Sequence, residues 1–416
     1  MPIRHDESTS TTTDHHSWIS SIRPFSSAPR APHDLRQTLH RYPELGFQEH
    51  ETARLIAEEL TRLGIPFESG IGQTGIVATL TGQRPDNGRR VGLRADMDAL
   101  PIHELSTHEH VSQRPGVMHA CGHDGHTTML LGVAAYLAEW RDFAGTVYLV
   151  FQPAEEGLGG GLAMVEDGLF ERFPMDAIYA LHNWPTLPAG QVAIRSGAIM
   201  AATDRLDISV RGHGGHGGVD PHLATDPVRM AGALIQALHS VVSRDIDPLS
   251  PAALSLCGIQ GGELDGFAII PDEVHISGTA RTLDEATRQR LEEAVRRTCA
   301  GVATTYGGEI GLDYQRIFPA TLNAESAVRH VERVTRAILG DAALISDVAP
   351  SLGGEDFAFM LEHCPGAYFF LGTAEGEATA PLHNARFDFN DALIPTGCRL
   401  LTAIALAALG TSTPGS

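Results

Sequence analysis

The sequence predicts an α/β fold in which helices cover a mixed sheet, with a second unit inserted into it. Short apolar segments with the composition of strands, at 75–80, 90–94 and 146–151, are separated by segments with helical periodicity. Strands that alternate with helices are typical of a sheet covered on both faces. From residue 202 to 316 the pattern becomes β-α-β-β-α-β, the order of a ferredoxin-like unit. After residue 316 the first pattern resumes, so we expect the second unit to be an insertion.

The first elements are two amphipathic helices. Apolar residues at Leu35 and Leu39 share one helical face before Pro43 ends the segment, and the second helix covers 49–63 and ends at Gly64. The remaining predicted elements follow in chain order. Strands are expected at 177–180, 205–210, 253–256, 273–278, 309–315 and 367–371, and helices at 127–137, 226–243, 284–306, 326–339, 356–361 and 395–409.

The 416 residues are enough for two domains and a tail. Residues 1–30 are rich in Ser, Thr, His and Pro and are expected to form a flexible N-terminal tail. The first predicted domain combines 31–201 with 317–416, and the inserted domain covers 202–316. These boundaries follow from the change in pattern alone.

Bulk composition excludes some classes of partner. The chain has 30 basic and 51 acidic residues and a formal net charge of −21, which argues against nucleic acid and anionic membranes as partners. No uninterrupted apolar run approaches the roughly 18 residues of a membrane span. Five scattered cysteines do not form a disulfide framework, so a reducing cytoplasm is the expected location.

The densest chemical motif is the segment 119–126, with the sequence His-Ala-Cys-Gly-His-Asp-Gly-His. One thiol, three imidazoles and one carboxylate within eight residues are costly to bury unless something compensates them, and a divalent metal does so. Gly122 permits a sharp bend that could aim Cys121 and His123 at one centre. The alternative is a set of locally hydrogen-bonded imidazoles beside a buried free cysteine, because no standard zinc spacing is matched.

Other polar motifs follow the carboxyl ends of predicted strands. Asp96 and Asp98 follow the strand at 90–94, Glu155 and Glu156 follow the strand at 146–151, and His182 follows the strand at 177–180. Ligands of open α/β sheets bind at this edge. The recurrence therefore predicts one site that collects residues from several strands.

Adjacent carboxylates suit metal-assisted hydrolysis. One of Glu155 and Glu156 could hold a metal that lowers the pKa of a water, while the other accepts the proton; the alternative is a solvated acidic pair. On an extended stretch only one of Asp96 and Asp98 is expected to face inward. Asp98 is interpreted either as a group that orients a metal ligand or as part of a turn before Pro101.

These motifs together resemble a known family. The segments 93–101, 119–126, 152–157, 353–357 and 381–384 are similar to motifs of the M20 metallopeptidase and aminoacylase family, in its amidohydrolase branch of hippurate hydrolases, N-acyl-amino-acid deacylases and auxin-conjugate hydrolases. The resemblance runs from about residue 35 to 409. It implies two divalent metals, with zinc, manganese, cobalt and nickel all open. The implied metal ligands are Cys121, His123, Glu156, His182 and His383.

The resemblance also implies roles outside the metal ligands. Glu155 is the expected general acid/base, His216 the group that stabilises the oxyanion, and Arg281 the partner of a substrate carboxylate. Taken alone, His383 is a single loop histidine, which is more often structural. One departure is Ala268, where the family commonly has Asn. The inserted domain is expected to act as a lid and to form a homodimer that lends His216 to the partner's site.

The predicted function is hydrolysis of the amide bond of N-acyl amino acids or related small amides. A dipeptidase or carboxypeptidase on the same fold is the nearest alternative. A non-catalytic metal-binding homologue is another, against which the intact Glu155 argues. An assembly scaffold would not need polar motifs gathered at one edge of a sheet.

Overall fold

The computed structural model describes residues 31–410 apart from 375, 377 and 378. The predicted N-terminal tail lies outside these residues. The strands are β1 (Phe67–Ile71), β2 (Gly75–Thr81), β3 (Arg90–Asp96), β4 (Thr146–Gln152), β5 (Ala177–Pro188), β6 (Val192–Ile194), β7 (Gly197–Met200), β8 (Ala202–Arg211), β9 (Gly215–His216), β10 (Ala252–Gln260), β11 (Ile269–Ile270), β12 (Glu273–Thr282), β13 (Glu309–Phe318), β14 (Thr321–Asn323), β15 (Leu344–Ser346) and β16 (Gly366–Ala374). The helices are α1 (Pro32–Arg41), α2 (His50–Arg62), α3 (His123–Glu139), α4 (Gly160–Glu166), α5 (Leu169–Arg172), α6 (Pro227–Asp245), α7 (Glu285–Tyr306), α8 (Glu325–Leu339), α9 (Phe357–His363) and α10 (Ile394–Ala408).

The larger sheet is mixed, as the sequence predicts. Its eight strands run in the order β1-β2-β4-β3-β5-β16-β6-β15. The central strands β4, β3, β5 and β16 are parallel to one another, whereas β2 and β6 pair with them in antiparallel fashion. The carboxyl ends of the central strands therefore meet at one edge.

Helices cover both faces of this sheet. Strand β4 is buried along its whole length, and alternate residues point to opposite faces. Leu149 and Phe151 join the cluster that contains α3 and α10, whereas Tyr148 and Val150 join the cluster that contains residues of α4 and α9. Such near-continuous apolar runs are typical of parallel strands with two covered faces.

Helix α10, the last helix of the described residues, is strongly apolar. The stretch Asp391–Ala408 is long and apolar enough by composition to cross a membrane, and 61% of it is buried within the fold. Leu400, Ile404 and Leu406 are fully buried, and the helix contacts α3 and α8. Its composition is thus explained by its position in the core.

The second sheet has four antiparallel strands in the order β10-β12-β8-β13. Its elements follow one another as β8-α6-β10-β12-α7-β13, with only the short β9 and β11 between them, and this is the predicted β-α-β-β-α-β order. Leu206, Ile208 and Val210 of β8 are buried against α6 and α7, while Arg205 on the opposite face is exposed. The chain enters this sheet beside the place where it leaves, because Thr203 of β8 pairs with Phe318 of β13.

Candidate metal centre and active site

The functional side chains lie at the carboxyl edge of the central strands. Strand β3 ends at Asp96 and its neighbour β4 ends at Gln152, directly before the loop that carries Glu155. The sequence predicts that His182 follows its strand, and the structure differs. His182 lies within β5, which continues to Pro188 because β16 pairs with it along most of its length.

A glycine turn places Cys121 and His123 on the two sides of one bend. Gly122 precedes the first residue of α3 and has a φ of +94°, a value that side chains with a Cβ rarely adopt. A Cβ at this position would lie 2.3 Å from the side-chain oxygen of Asn183. Glycine is therefore required at position 122, both by the backbone conformation and by the close approach of Asn183.

Five predicted ligands lie at distances that suit a shared metal centre. Cys121 Sγ lies 3.4 Å from His182 Nε2. Glu156 Oε1 lies 3.9 Å from His123 Nε2 and 3.3 Å from His383 Nε2. Ligand atoms at about 2.0–2.3 Å from one tetrahedral ion are themselves separated by roughly 3.3–3.8 Å. The five predicted ligands are thus brought together, including His383, which lies on a separate loop.

Unsatisfied polar atoms support a cation at this place. His123 Nε2 and Glu156 Oε1 are buried, and neither has a hydrogen-bond partner among the described residues. Buried polar atoms in proteins nearly always have a partner, so two facing orphan ligand atoms point to an ion between them. The donor set of thiol, imidazoles and carboxylate suits zinc and similar divalent metals.

The ring orientation of two histidines is fixed by their other nitrogen. His123 Nδ1 lies 2.9 Å from the backbone oxygen of Asp98 and 3.2 Å from its Oδ1, and His182 Nδ1 lies 2.7 Å from the backbone oxygen of Asn183. A carbonyl oxygen only accepts, so each Nδ1 carries a proton and each Nε2 is the nitrogen left to face the centre. Asp98 also accepts a hydrogen bond from the Glu156 backbone N–H at 2.9 Å, so it orients ligands from two elements.

The expectation that only one of Asp96 and Asp98 faces inward is wrong, since both are buried. The strand alternation stops at Asp96, and Asp98 lies beyond the strand end. Asp96 accepts a hydrogen bond from Arg94 at 2.7 Å and lies 2.6 Å from His126 Nδ1. His126 Nε2 lies 2.7 Å from Asn183 Oδ1, so both of its nitrogens are occupied.

The charges around the ligands favour a bound cation. Burial, together with the Glu156 and Glu155 carboxylates, raises the pKa of the Cys121 thiol well above its ordinary value. Burial lowers the pKa of His123, but the carboxylates of Asp96, Asp98 and Glu156 outweigh this effect and raise it to about 10. Without a cation the thiol stays protonated, and His123 is charged rather than free to bind. A divalent ion reverses both states.

Glu155 lies in a buried group of carboxylates. Oxygens of Glu155, Glu355 and Asp356 lie within 4.8 Å of one another. Burial raises the pKa of Glu155 well above its usual range, and the neighbouring Glu355, Glu156 and Asp356 carboxylates add to the effect. Arg94 partly offsets this negative charge, with hydrogen bonds to Glu355 at 3.0 Å and to Asp356 at 3.3 Å. The carboxylate of Glu155 is therefore a stronger proton acceptor than an exposed glutamate.

Sequence reasoning did not assign a role to Arg94 or Glu355. Both lie inside segments that carry the family resemblance, Arg94 in 93–101 and Glu355 in 353–357. A local signal was present for Arg94, because it is a charged residue in the middle of an otherwise apolar strand. No spacing in the sequence connects it with Glu355, which comes from the far end of the chain.

A cleft of about 360 Å³ opens onto these residues. Glu155, His182 and His383 line it, as do Thr203 and Arg281 from the second sheet. Arg281 donates a hydrogen bond to the Thr203 hydroxyl, and burial lowers the pKa of its guanidinium. The cleft thus has a guanidinium in its lining together with predicted metal ligands.

His216 is not brought to this cleft within the chain. It is exposed in the short strand β9, which pairs with β11. Its Nδ1 accepts hydrogen bonds from the backbone N–H groups of Gly218 and Val219, both at 3.1 Å. Ala268 lies beside this loop, and its carbonyl oxygen accepts from Gly217 N–H at 2.8 Å.

Comparison with known proteins agrees with the family resemblance noted in the sequence. The profile of Peptidase family M20/M25/M40 matches residues 92–407. The chain is 41% identical to hippurate hydrolase of Campylobacter jejuni over 89% of this chain and 95% of that protein. It is 38% identical to thermostable carboxypeptidase 1 of Saccharolobus solfataricus over 87% of this chain and 91% of that protein.

A solved structure shares the fold. The YXEP protein of Bacillus subtilis, described as a dinuclear metal binding peptidase from the M20 family, aligns with a TM-score of 0.78 and 31% identity, covering 91% of this chain and 98% of that one. This chain belongs to the M20/M25/M40 peptidase family.

Proposed function

We propose that the chain is a metal-dependent amidohydrolase that cleaves N-acyl amino acids or related small amide conjugates. The observation that carries the proposal is the convergence of five ligand side chains, from separate elements, beside a buried carboxyl group in an open cleft. The hippurate hydrolase relative acts on an amide of this class, as its name states. Zinc and manganese are the proposed metals, with cobalt and nickel as alternatives.

Cys121, His123, Glu156, His182 and His383 would hold two divalent ions. Such ions lower the pKa of a water and polarise an amide carbonyl. Glu155 accepts the proton of the attacking water and delivers it to the leaving nitrogen, for which its raised pKa is suited. Arg281 binds the carboxylate of the amino-acid part, since its guanidinium lines the same cleft.

A carboxypeptidase activity is the second candidate. The thermostable carboxypeptidase relative at 38% identity favours it. The cleft chemistry is compatible with either substrate, because a peptide also ends in a carboxylate that Arg281 could bind. Parallel assays with N-benzoylglycine and with N-blocked dipeptides separate the two, because the preferred class will show the larger kcat/KM.

The test of the catalytic assignment is Glu155→Gln. This change keeps the size of the side chain and removes the proton acceptor, so kcat should fall by at least ~10²–10⁴-fold while both metals remain bound. Glu263→Gln, on an exposed part of the second sheet unit, is the matched control and should leave kcat unchanged. Near-normal turnover of Glu155→Gln would assign the proton transfer to another group.

The proposal extends to the inserted unit. Residues 31–201 and 317–416 are the proposed catalytic domain, and residues 202–316 are the proposed ferredoxin-like lid and dimerisation domain. Strands β10 and β13 are the two edges of the four-stranded sheet, and one face of this sheet is exposed. Both features support pairing with a second copy of the chain. Because His216 does not reach the cleft of its own chain, we propose that it stabilises the oxyanion in the site of the partner.

Subunit mixing tests this sharing. Glu155→Gln and His216→Ala are each expected to be nearly inactive alone. In a mixed dimer one site combines an intact Glu155 with an intact His216, so activity should return on subunit exchange. Mixing Glu155→Gln with His383→Ala is the control, because these two changes fall in the same half of the site. No recovery in demonstrated hetero-dimers, or full activity of His216→Ala alone, would refute the sharing.

The remaining parts of the proposal concern location and partners. The chain is proposed to work in the cytoplasm as a homodimer on small molecules, without nucleic acid or membrane partners. The five cysteines are all free, four of them buried, which supports a reducing compartment.

A further inference from the structure

A second group of ligand-type side chains lies away from the cleft, where three separate segments meet. It consists of His40 in the last turn of α1, Glu104 and His108 in the segment between β3 and α3, and Asp388 before α10. None of these four residues lines the cleft. We call them the His40–Asp388 cluster.

The distances within the His40–Asp388 cluster match one coordination sphere. Glu104 Oε1 lies 3.3 Å from His40 Nε2 and 3.0 Å from His108 Nε2, and His108 Nε2 lies 4.0 Å from Asp388 Oδ2. Imidazole nitrogens and carboxylate oxygens about 2.0–2.2 Å from one tetrahedral ion are separated by roughly 3.3–3.5 Å. The observed distances bracket this range.

His108 has free ligand atoms. Both of its ring nitrogens are buried, and neither has a hydrogen-bond partner among the described residues. Its 3.0 Å approach to Glu104 lacks hydrogen-bond geometry, so the two atoms are close without pointing at each other. Two side chains that coordinate the same metal ion are close to each other in this way without being hydrogen-bonded. Burial also lowers the pKa of His108, so the ring is in the neutral form that binds metal.

The other histidine is oriented for binding. His40 Nδ1 lies 2.8 Å from Asp124 Oδ2, and Asp124 is itself held by the Gly125 backbone N–H at 2.9 Å and by Arg36 at 3.5 Å. A carboxylate that takes the Nδ1 proton directs Nε2 outward as a ligand, the usual arrangement behind metal-bound histidines. Nε2 of His40 points to the cluster, where Glu104 is its neighbour.

The charges at this place call for a cation. One guanidinium contacts three partly or fully buried carboxylates, a fourth carboxylate contacts His40, and the ring of His110 lies 3.0 Å from Asp388 Oδ2. The guanidinium and the carboxylates are those of Arg36, Glu104, Asp124, Asp388 and Asp391. With neutral histidines three negative charges are uncompensated, and a divalent ion removes two of them.

Protons are the competing source of positive charge. Burial lowers the pKa of His40, but hydrogen bonds to Asp124 and Glu104 outweigh it and raise the pKa to about 9. A proton on His40 alone leaves two negative charges. A further proton on His108 is opposed by burial and by the neighbouring rings of His110, whose centroid is 3.7 Å away, and His40, which together lower the pKa of His108. Zinc titration distinguishes a metal from protons.

We propose that His40, Glu104, His108 and Asp388 bind one divalent ion, of the class of zinc, as a structural site separate from the catalytic pair. Two imidazoles and two carboxylates leave no open position on a tetrahedral ion, which is the pattern of structural rather than catalytic sites. The ion would tie α1 to the segments at 104–108 and 388. This inference does not depend on the proposed substrate.

The experiment counts zinc in the full-length protein. Protein stripped with a chelator, reloaded with zinc and dialysed should contain three zinc ions per chain by mass spectrometry. His108→Ala, and separately Asp388→Asn, should contain two and keep the kcat of the wild type. His103→Ala is the matched control, because this exposed histidine is in the same segment but outside the cluster, and it should contain three.

Two further measurements keep the test decisive. In the double variant Cys121→Ala/His383→Ala, the zinc that remains should raise the melting temperature, and adding His108→Ala should abolish this rise. Circular dichroism checks that each variant is folded. Two zinc ions in the wild type, an unchanged count in both His108→Ala and Asp388→Asn, or an equal loss in His103→Ala would overturn the proposal.

Discussion

Replacing Arg94 with methionine tests how the buried carboxylates beneath the catalytic centre are compensated. The guanidinium is 1% exposed and donates hydrogen bonds to Gln152 at 2.8 Å, Asp96 at 2.7 Å, Glu355 at 3.0 Å and Asp356 at 3.3 Å. Methionine fills much of the volume but leaves three buried carboxylates without their shared cation. Removing one partner of a buried ion pair typically costs about 3–5 kcal/mol.

For a chain of 416 residues, that loss corresponds to a fall in melting temperature of roughly 3–6 °C. Scanning calorimetry of the metal-loaded proteins measures it. The loss should be smaller at pH 5 than at pH 8, because the uncompensated carboxylates have raised pKa values and take up protons as the pH falls.

Arg297→Met is the control for this prediction. Arg297 forms an ion pair with Asp245 at 2.6 Å, but its side chain is 64% exposed. Exposed pairs contribute about 0–1 kcal/mol, so this variant should melt close to the wild type. If Arg94→Met melts within about 1 °C of Arg297→Met, Arg94 does not compensate the buried carboxylates as described.

Two further predictions concern metal content and pH. Cys121→Ala and His383→Ala should each lower the amount of metal bound at the cleft, and an unchanged stoichiometry in both would exclude them as ligands. In metal-free protein the stabilising effect of His40 should be complete below its unfolded pKa of about 6.5 and be lost as the pH rises through its folded pKa of about 9. Urea unfolding should therefore show a stability advantage of the wild type over His40→Gln that shrinks by roughly 3 kcal/mol between pH 6 and 9.5, and a constant advantage would contradict the ion pairs assigned to His40.

Much of the site could be predicted because its parts are local in sequence. Cys121 and His123 are held by one glycine turn, and Glu155 and Glu156 share one loop, so their spacing already indicates a shared centre. The carboxyl ends of parallel strands then bring these segments together without further information. The mixed sheet, the inserted β-α-β-β-α-β order and the convergence at one edge are all present in the sequence pattern.

The rest depends on contacts between distant segments. His383 has no local pattern, and only the family resemblance pointed to it. Asp98 faces inward together with Asp96 because the strand ends between them, and strand ends are the least predictable feature of a sequence. The contact of Arg94 with Glu355, like that of His40 with Asp388, joins opposite parts of the chain, and no periodicity encodes it.

The adjacent entry and exit of the four-stranded sheet have a consequence for protein engineering. Thr203 and Phe318 are paired across neighbouring strands, so the chain leaves the first unit and returns to it at almost one point. A segment joined in this way can be excised, and a linker of two or three residues between positions 201 and 319 could close the gap. The excised segment has its own buried apolar cluster and two nearby termini, so it is also a candidate for separate expression, for circular permutation, or for exchange with another domain of the same end-to-end distance.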